Sequence, residues 1–223
     1  MTPPPMRTSR CGLLLLCWLL LAATWSATAL ASGLTLRFVD AGSGEPVSDV
    51  VVVAVSPSEP NPVKAEIEQR DRQFRPGVLT VPVGSTVDFP NRDDTQHHVY
   101  SFSPAKPFEL KLYADRPEAP IRFDTTGVVE LGCNIHDHMQ GFVLVTEAVQ
   151  SWRSGAAGLV TLPSPKAPLT LRYWHRRLPD NTRFQPLTLG EPLPAHHRIA
   201  LELQPPPPAN NALDRLQQRF REL

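Results

Sequence analysis

Between Gly132 and Gly141 the chain reads Gly-Cys-Asn-Ile-His-Asp-His-Met-Gln-Gly, which puts the thiol of Cys133, the imidazoles of His136 and His138 and the thioether of Met139 into one short loop. These are soft and intermediate donors of the kind copper prefers. A further imidazole is available upstream, at His97 or His98, in Asn91-Arg92-Asp93-Asp94-Thr95-Gln96-His97-His98-Val99. Two imidazoles and a thiolate in a trigonal arrangement, with a weak axial thioether, define a centre that passes single electrons. A Cys followed three residues later by a His arises often by chance. The inference therefore rests on the combination with Met139, the upstream histidine and a secretion signal. Zinc accepts the same thiol and imidazoles together with Asp137, so a structural zinc site is a third reading.

That secretion signal is carried by the first residues. Arg7 and Arg10 precede an apolar run from Cys11 to Ala23, and Ala29, Leu30 and Ala31 supply the small-x-small pattern of a cleavage site. The run is too short for a stable bilayer crossing, so a signal peptide over 1–31 is expected, with the mature chain in the periplasm or secreted and not held in a membrane. Cleavage leaves 192 of the 223 residues and removes two of the three cysteines. Cys133 then stands alone in an oxidising compartment, where it is either a small buried hydrophobe or a ligand. The mature balance is 20 basic against 22 acidic residues, with no clustered basic face of the kind nucleic acid requires.

Positioning such a loop takes strands. The 25 prolines argue against long helices and for short strands joined by rigid connections. Strand-like runs fall at Leu34 to Val55 with a turn at Asp40 to Gly44, at Leu79 to Val83, Thr86 to Phe89, Ile121 to Phe123, Val128 to Leu131 and Phe142 to Val145. Leu159 to Leu162, Leu169 to Trp174 and Arg198 to Leu203 read as further strands. The expected fold class is all-β: a Greek-key sandwich, a second small β-sandwich and a short C-terminal helix. The divisions expected are an N-terminal β segment over 32–60, a metal domain over 61–148 and a C-terminal β module over 149–204 that pairs with the first. Pro205 to Pro208 begins a stiff spacer, and in 205–223 Leu213, Leu216, Phe220 and Leu223 share one helical face.

At the residues quoted for the two loops, the sequence resembles the cupredoxins, and within them the amicyanin-like plastocyanins and secreted proteins labelled methylamine utilisation proteins. Cys133, His136 and Met139 reproduce the Cys-x2-His-x2-Met loop of the amicyanin type, and Asn91 to Val99 stands where that family has an Asn, a polar run, its first ligand His and a Val. Phe74-Arg75-Pro76 and Val83-Gly84-Ser85-Thr86-Val87 resemble the strand, glycine turn and strand before that histidine. The resemblance spans roughly residues 65 to 147. It implies one copper ion, cycling between Cu(II) and Cu(I), held by His97, Cys133, His136 and Met139. It also implies redox partner proteins and electron exit through the edge of His136. His138 as ligand would lengthen the loop and place the thioether near Phe142, which has none. Four positions depart from the family: His98 and Asn134 carry exchanged polar types, so a cross-loop tie between them has reversed partners, and Asp137 and His138 flank His136 where apolar residues or proline are usual.

Such a protein is an electron carrier and not an enzyme. A copper oxidase or nitrite reductase needs repeated His-x-His pairs, and this chain has one, His136-Asp137-His138. A non-redox copper-binding or assembly factor that docks to a larger periplasmic partner is the alternative, suited by the polar flank and the extra β segments. His175 beside Trp174 reads as packing, and His196 and His197 as surface.

Overall fold

The computed structural model describes residues 1–2, 33–54, 59–147 and 150–206. Every regular element among them is a strand: β1 (Leu34–Asp40), β2 (Val51–Ala54), β3 (Lys64–Glu66), β4 (Glu68–Arg70), β5 (Gln73–Arg75), β6 (Val78–Pro82), β7 (Ser85–Asp88), β8 (His97–Ser101) and β9 (Phe108–Tyr113). There follow β10 (Ile121–Phe123), β11 (Gly127–Cys133), β12 (Gln140–Thr146), β13 (Gln150–Arg153), β14 (Leu159–Leu162), β15 (Leu169–Trp174), β16 (Gln185–Leu189) and β17 (His196–Leu201). The all-β class holds. The expected signal peptide and C-terminal helix lie outside the described residues, apart from residues 1–2. No helix among the described residues is long and apolar enough to cross a membrane.

The candidate ligands sit on a sandwich of two sheets, ordered β6-β12-β11-β8-β9 and β10-β7-β3. Alternation along β7, β8 and the second half of β11 turns one face of those strands inward, while β12 is buried on both faces from Gly141 to Thr146. Val81, Val87, Val99, Phe123, Val129, Leu131, Val143 and Val145 form the shared core, in which Cys133 and Met139 are also buried. β11 and β12 pair antiparallel from Gly127↔Val145 to Gly132↔Gln140, so residues 133–139 are a loop closed at its base by that last pair. A Cβ at Gly132 would meet the Tyr100 ring at 2.6 Å, so any larger residue there would have to displace that ring.

A second sandwich is built from strands that precede and follow the first in the sequence. β1 lies between β14 and β17, and β2 lies between β13 and β15 with β16 outside. Leu36, Phe38, Val52, Leu171, Leu189 and Leu201 are among its core residues. The two sandwiches share a third apolar cluster in which Val51, Val53 and Trp174 face Val128, Phe142 and Leu144. The Trp174 indole N–H, which burial would otherwise leave unpaired, donates to the Asn181 carbonyl at 2.7 Å.

Next to Trp174, His175 is buried, its Nδ1 accepting from the Arg177 amide at 3.3 Å. Burial disfavours the imidazolium, with Arg177 adding to the effect, and the pKa falls to about 4 from an ordinary 6.5. The folded state thus keeps His175 neutral where the unfolded chain binds a proton. Its contribution to stability is complete above about pH 6.5 and is lost as the pH falls toward 4. Urea unfolding at pH 7 and pH 5 should show a smaller acid-induced loss for His175→Gln than for the natural chain. Equal losses would mean that His175 is already solvated.

Candidate metal centre

His97 opens β8, whose residues alternate inward and outward: His97, Val99 and Ser101 are buried, while His98 and Tyr100 face the other side. The pleat therefore separates the two adjacent histidines. The His97 ring is fully buried, with Nε2 2.8 Å from Asp93 Oδ2. Its other nitrogen, Nδ1, faces Cys133 Sγ at 3.7 Å and His136 Nδ1 at 3.2 Å. Cys133 Sγ lies 3.8 Å from His136 Nδ1, closing a triangle of two nitrogens and one sulfur. Donors bonded to one ion at about 2.0–2.3 Å lie roughly 3–4 Å apart, so this triangle fits a single small metal ion. Among the described residues, His97, Cys133 and His136 are the group of thiol, imidazole or carboxylate side chains that converges in this way.

Met139 is buried in the same core as Cys133, and its amide donates to the His136 carbonyl at 2.9 Å, which curls the loop back toward β12. His136 is half-buried. Burial, together with the neighbouring His97, lowers its pKa and favours the neutral imidazole that a metal binds. His138 is exposed, its ring centroid 6.1 Å from that of His136. Asp137 is exposed as well.

The expected cross-loop tie between His98 and Asn134 takes a different form. The contact is main chain to main chain, Asn134 amide to His98 carbonyl at 3.3 Å. The His98 ring, turned outward by the pleat, instead reaches across to β9, where Nε2 comes within 2.9 Å of Glu109 Oε1 at an angle too oblique for a hydrogen bond. Asn134 is exposed.

Asp93 is the residue that the motif reading passed over. Its carboxylate accepts from His97 and also from the Asp71 amide at 2.6 Å and the Arg72 amide at 3.0 Å. Those two amides form the turn of the β4–β5 hairpin, where Asp71 and Arg72 both have φ of 55°. Asn91 sets the carboxylate in place by accepting the Asp93 amide at 2.9 Å and donating to the Thr95 and Tyr113 carbonyls at 2.7 and 3.2 Å. Burial works against the charged form of Asp93, but the Arg72 amide, His97 and the Asp71 amide outweigh it and hold its pKa below the ordinary value. A carboxylate on the far nitrogen of a metal-facing histidine fixes its tautomer and ring orientation. Asp93→Ala should therefore lower metal affinity by roughly 10–100-fold, as is typical for such partners. Competition against a chelator measures this, and an unchanged affinity would show that the core alone orients His97.

No family model matches the chain, and no curated protein does. Solved structures similar to part of it include a copper-containing nitrite reductase, an amicyanin and a purple cupredoxin. A copper-containing nitrite reductase from Thermus scotoductus is 26% identical over 44% of this chain, with a TM-score of 0.35. The chain spans 26% of that protein's length. An amicyanin variant in its Cu(I) form is 23% identical over 42% of this chain and 98% of its own, with a TM-score of 0.34. A purple cupredoxin from Nitrosopumilus maritimus is 24% identical over 37% of this chain and 99% of its own, with a TM-score of 0.31.

Proposed function

We propose that this chain is an exported type 1 copper protein that carries single electrons between partner proteins in the periplasm or outside the cell. The observation that carries the proposal is the buried triangle of His97 Nδ1, Cys133 Sγ and His136 Nδ1, with sides of 3.7, 3.8 and 3.2 Å. In this reading residues 61–148 are the copper domain, inserted between 32–60 and 149–204, and Met139 is the weak axial donor. Copper bound there supplies one-electron Cu(II)/Cu(I) chemistry.

The chain's own residues do the rest. Asp93 holds the His97 ring, and the Val99, Leu131 and Val143 core around Cys133 keeps water away from the sulfur. Two donors on β-strands and a short closed loop limit rearrangement between oxidation states, which is what fast transfer requires. His136 is the most accessible member of the triangle and offers the edge through which an electron reaches a partner.

The exposed Asp137 and His138 favour a second reading, in which the protein binds and hands over copper without redox cycling. Potentiometric titration of the copper-loaded protein separates the two. Electron transfer requires a reversible one-electron couple with copper retained in both states. Release of copper on reduction would favour the binding factor.

A further inference from the structure

We infer that the second sandwich positions the candidate ligand loop from behind, through Arg176. The inference rests on the copper-carrier reading and adds a residue to it from outside the copper domain.

The loop 133–139 is closed by the pair Gly132↔Gln140. Gly132 has no side chain and its place is filled by the Tyr100 ring, so on that face the loop base is held by the side chain of Gln140. Gln140 donates to Glu130 Oε1 at 2.6 Å and accepts from Arg176 Nη2 at 3.1 Å. Phe142 lies two residues along β12 and therefore on the same face. It is fully buried: the Trp174 ring centroid lies 4.9 Å from its own and the Arg176 guanidinium carbon 5.6 Å from it.

Two residues from the end of β15 and its following turn thus grip alternate positions of β12, directly after Met139. A guanidinium suits this position because it stacks on an aromatic face and donates in its own plane at the same time. Arg176 touches none of the metal-facing atoms. It is a positioning residue, acting through Gln140 on the spacing between Met139 and Cys133.

The test uses Arg176→Ala, Arg176→Lys and, as control, Arg177→Ala. Arg177 is the adjacent residue, but its guanidinium turns into its own sandwich and donates to the Gln204 carbonyl at 2.7 Å. Two readouts are taken: amide hydrogen exchange at Met139, Gly141 and Phe142 in the metal-free protein, and the reduction potential of the copper-loaded protein. Arg176→Ala should speed exchange at those amides several-fold and shift the potential. Arg176→Lys should fall between it and the natural chain, since an ammonium still donates to Gln140 without stacking as a plane. Arg177→Ala should change neither readout, whatever it costs in melting temperature.

Natural exchange rates in Arg176→Ala would overturn the inference, and so would equal effects in Arg177→Ala. Faster exchange with an unmoved potential would also overturn it, because the tie would then be structural only. If the natural protein shows no reversible copper couple, the carrier reading fails separately, and the exchange data still decide whether Arg176 steadies the loop.

Discussion

Cys133→Ser is expected to abolish both the intense red absorption of the copper(II) protein and its tight hold on the metal. The absorption arises by charge transfer from sulfur to copper, and an alcohol oxygen, which stays protonated and hard, replaces neither the transition nor the bond. Cys133 is buried to 3% exposure among Val99, Leu131 and Met139, so the serine hydroxyl would face the same two imidazoles and no new donor. Loss of an outer partner such as Asp93 costs roughly 10–100-fold in affinity. Loss of the thiolate should exceed that range. Because serine is close to isosteric, the fold should survive, as unchanged far-ultraviolet circular dichroism would show. A Cys133→Ser protein that stays blue would place the sulfur outside the metal's coordination.

The second large effect separates neighbouring histidines. His97→Ala and His136→Ala should each destroy the blue centre, because each removes one corner of the triangle. His98→Ala and His138→Ala should keep it. The His98 ring stands on the opposite face of β8 beside Glu109, and His138 is exposed beyond His136. Spectra of the four variants at equal copper loading decide the matter. Bleaching in His98→Ala, with His97→Ala still blue, would reverse the assignment on β8; the corresponding pattern at 136 and 138 would reverse it in the loop.

Much of this was legible because it is local. Cys133, His136 and Met139 lie in one loop whose spacing can be read directly, and the alternation along β8 follows from strand geometry once a strand is recognised. The apolar runs at Val50 to Val53 and Phe142 to Val145 mark buried strands by composition alone. What was not legible depends on distant segments. Asp93 reads as one acid in a polar run, and its role appears only when the β4–β5 hairpin brings the Asp71 and Arg72 amides to it from more than twenty positions away. The exchange of polar types at His98 and Asn134 suggested a side-chain tie. Register places the two main chains in contact and sends the His98 ring to β9, across a ladder that is irregular between His97 and Val99. Arg176 carries no motif, since its partners Gln140 and Phe142 belong to another sandwich.

One spectrum bears on the copper assignment before any variant is made. A chain of residues 32–223, from which the proposed signal peptide is omitted, is purified metal-free, given copper(II), and its copper content and visible absorption are recorded together. A type 1 centre built on His97, Cys133 and His136 predicts one copper per chain and an intense red-absorbing band that bleaches on reduction and returns on oxidation. One tightly held copper(II) per chain without that band would contradict it, because the thiolate would then not be bound to the metal.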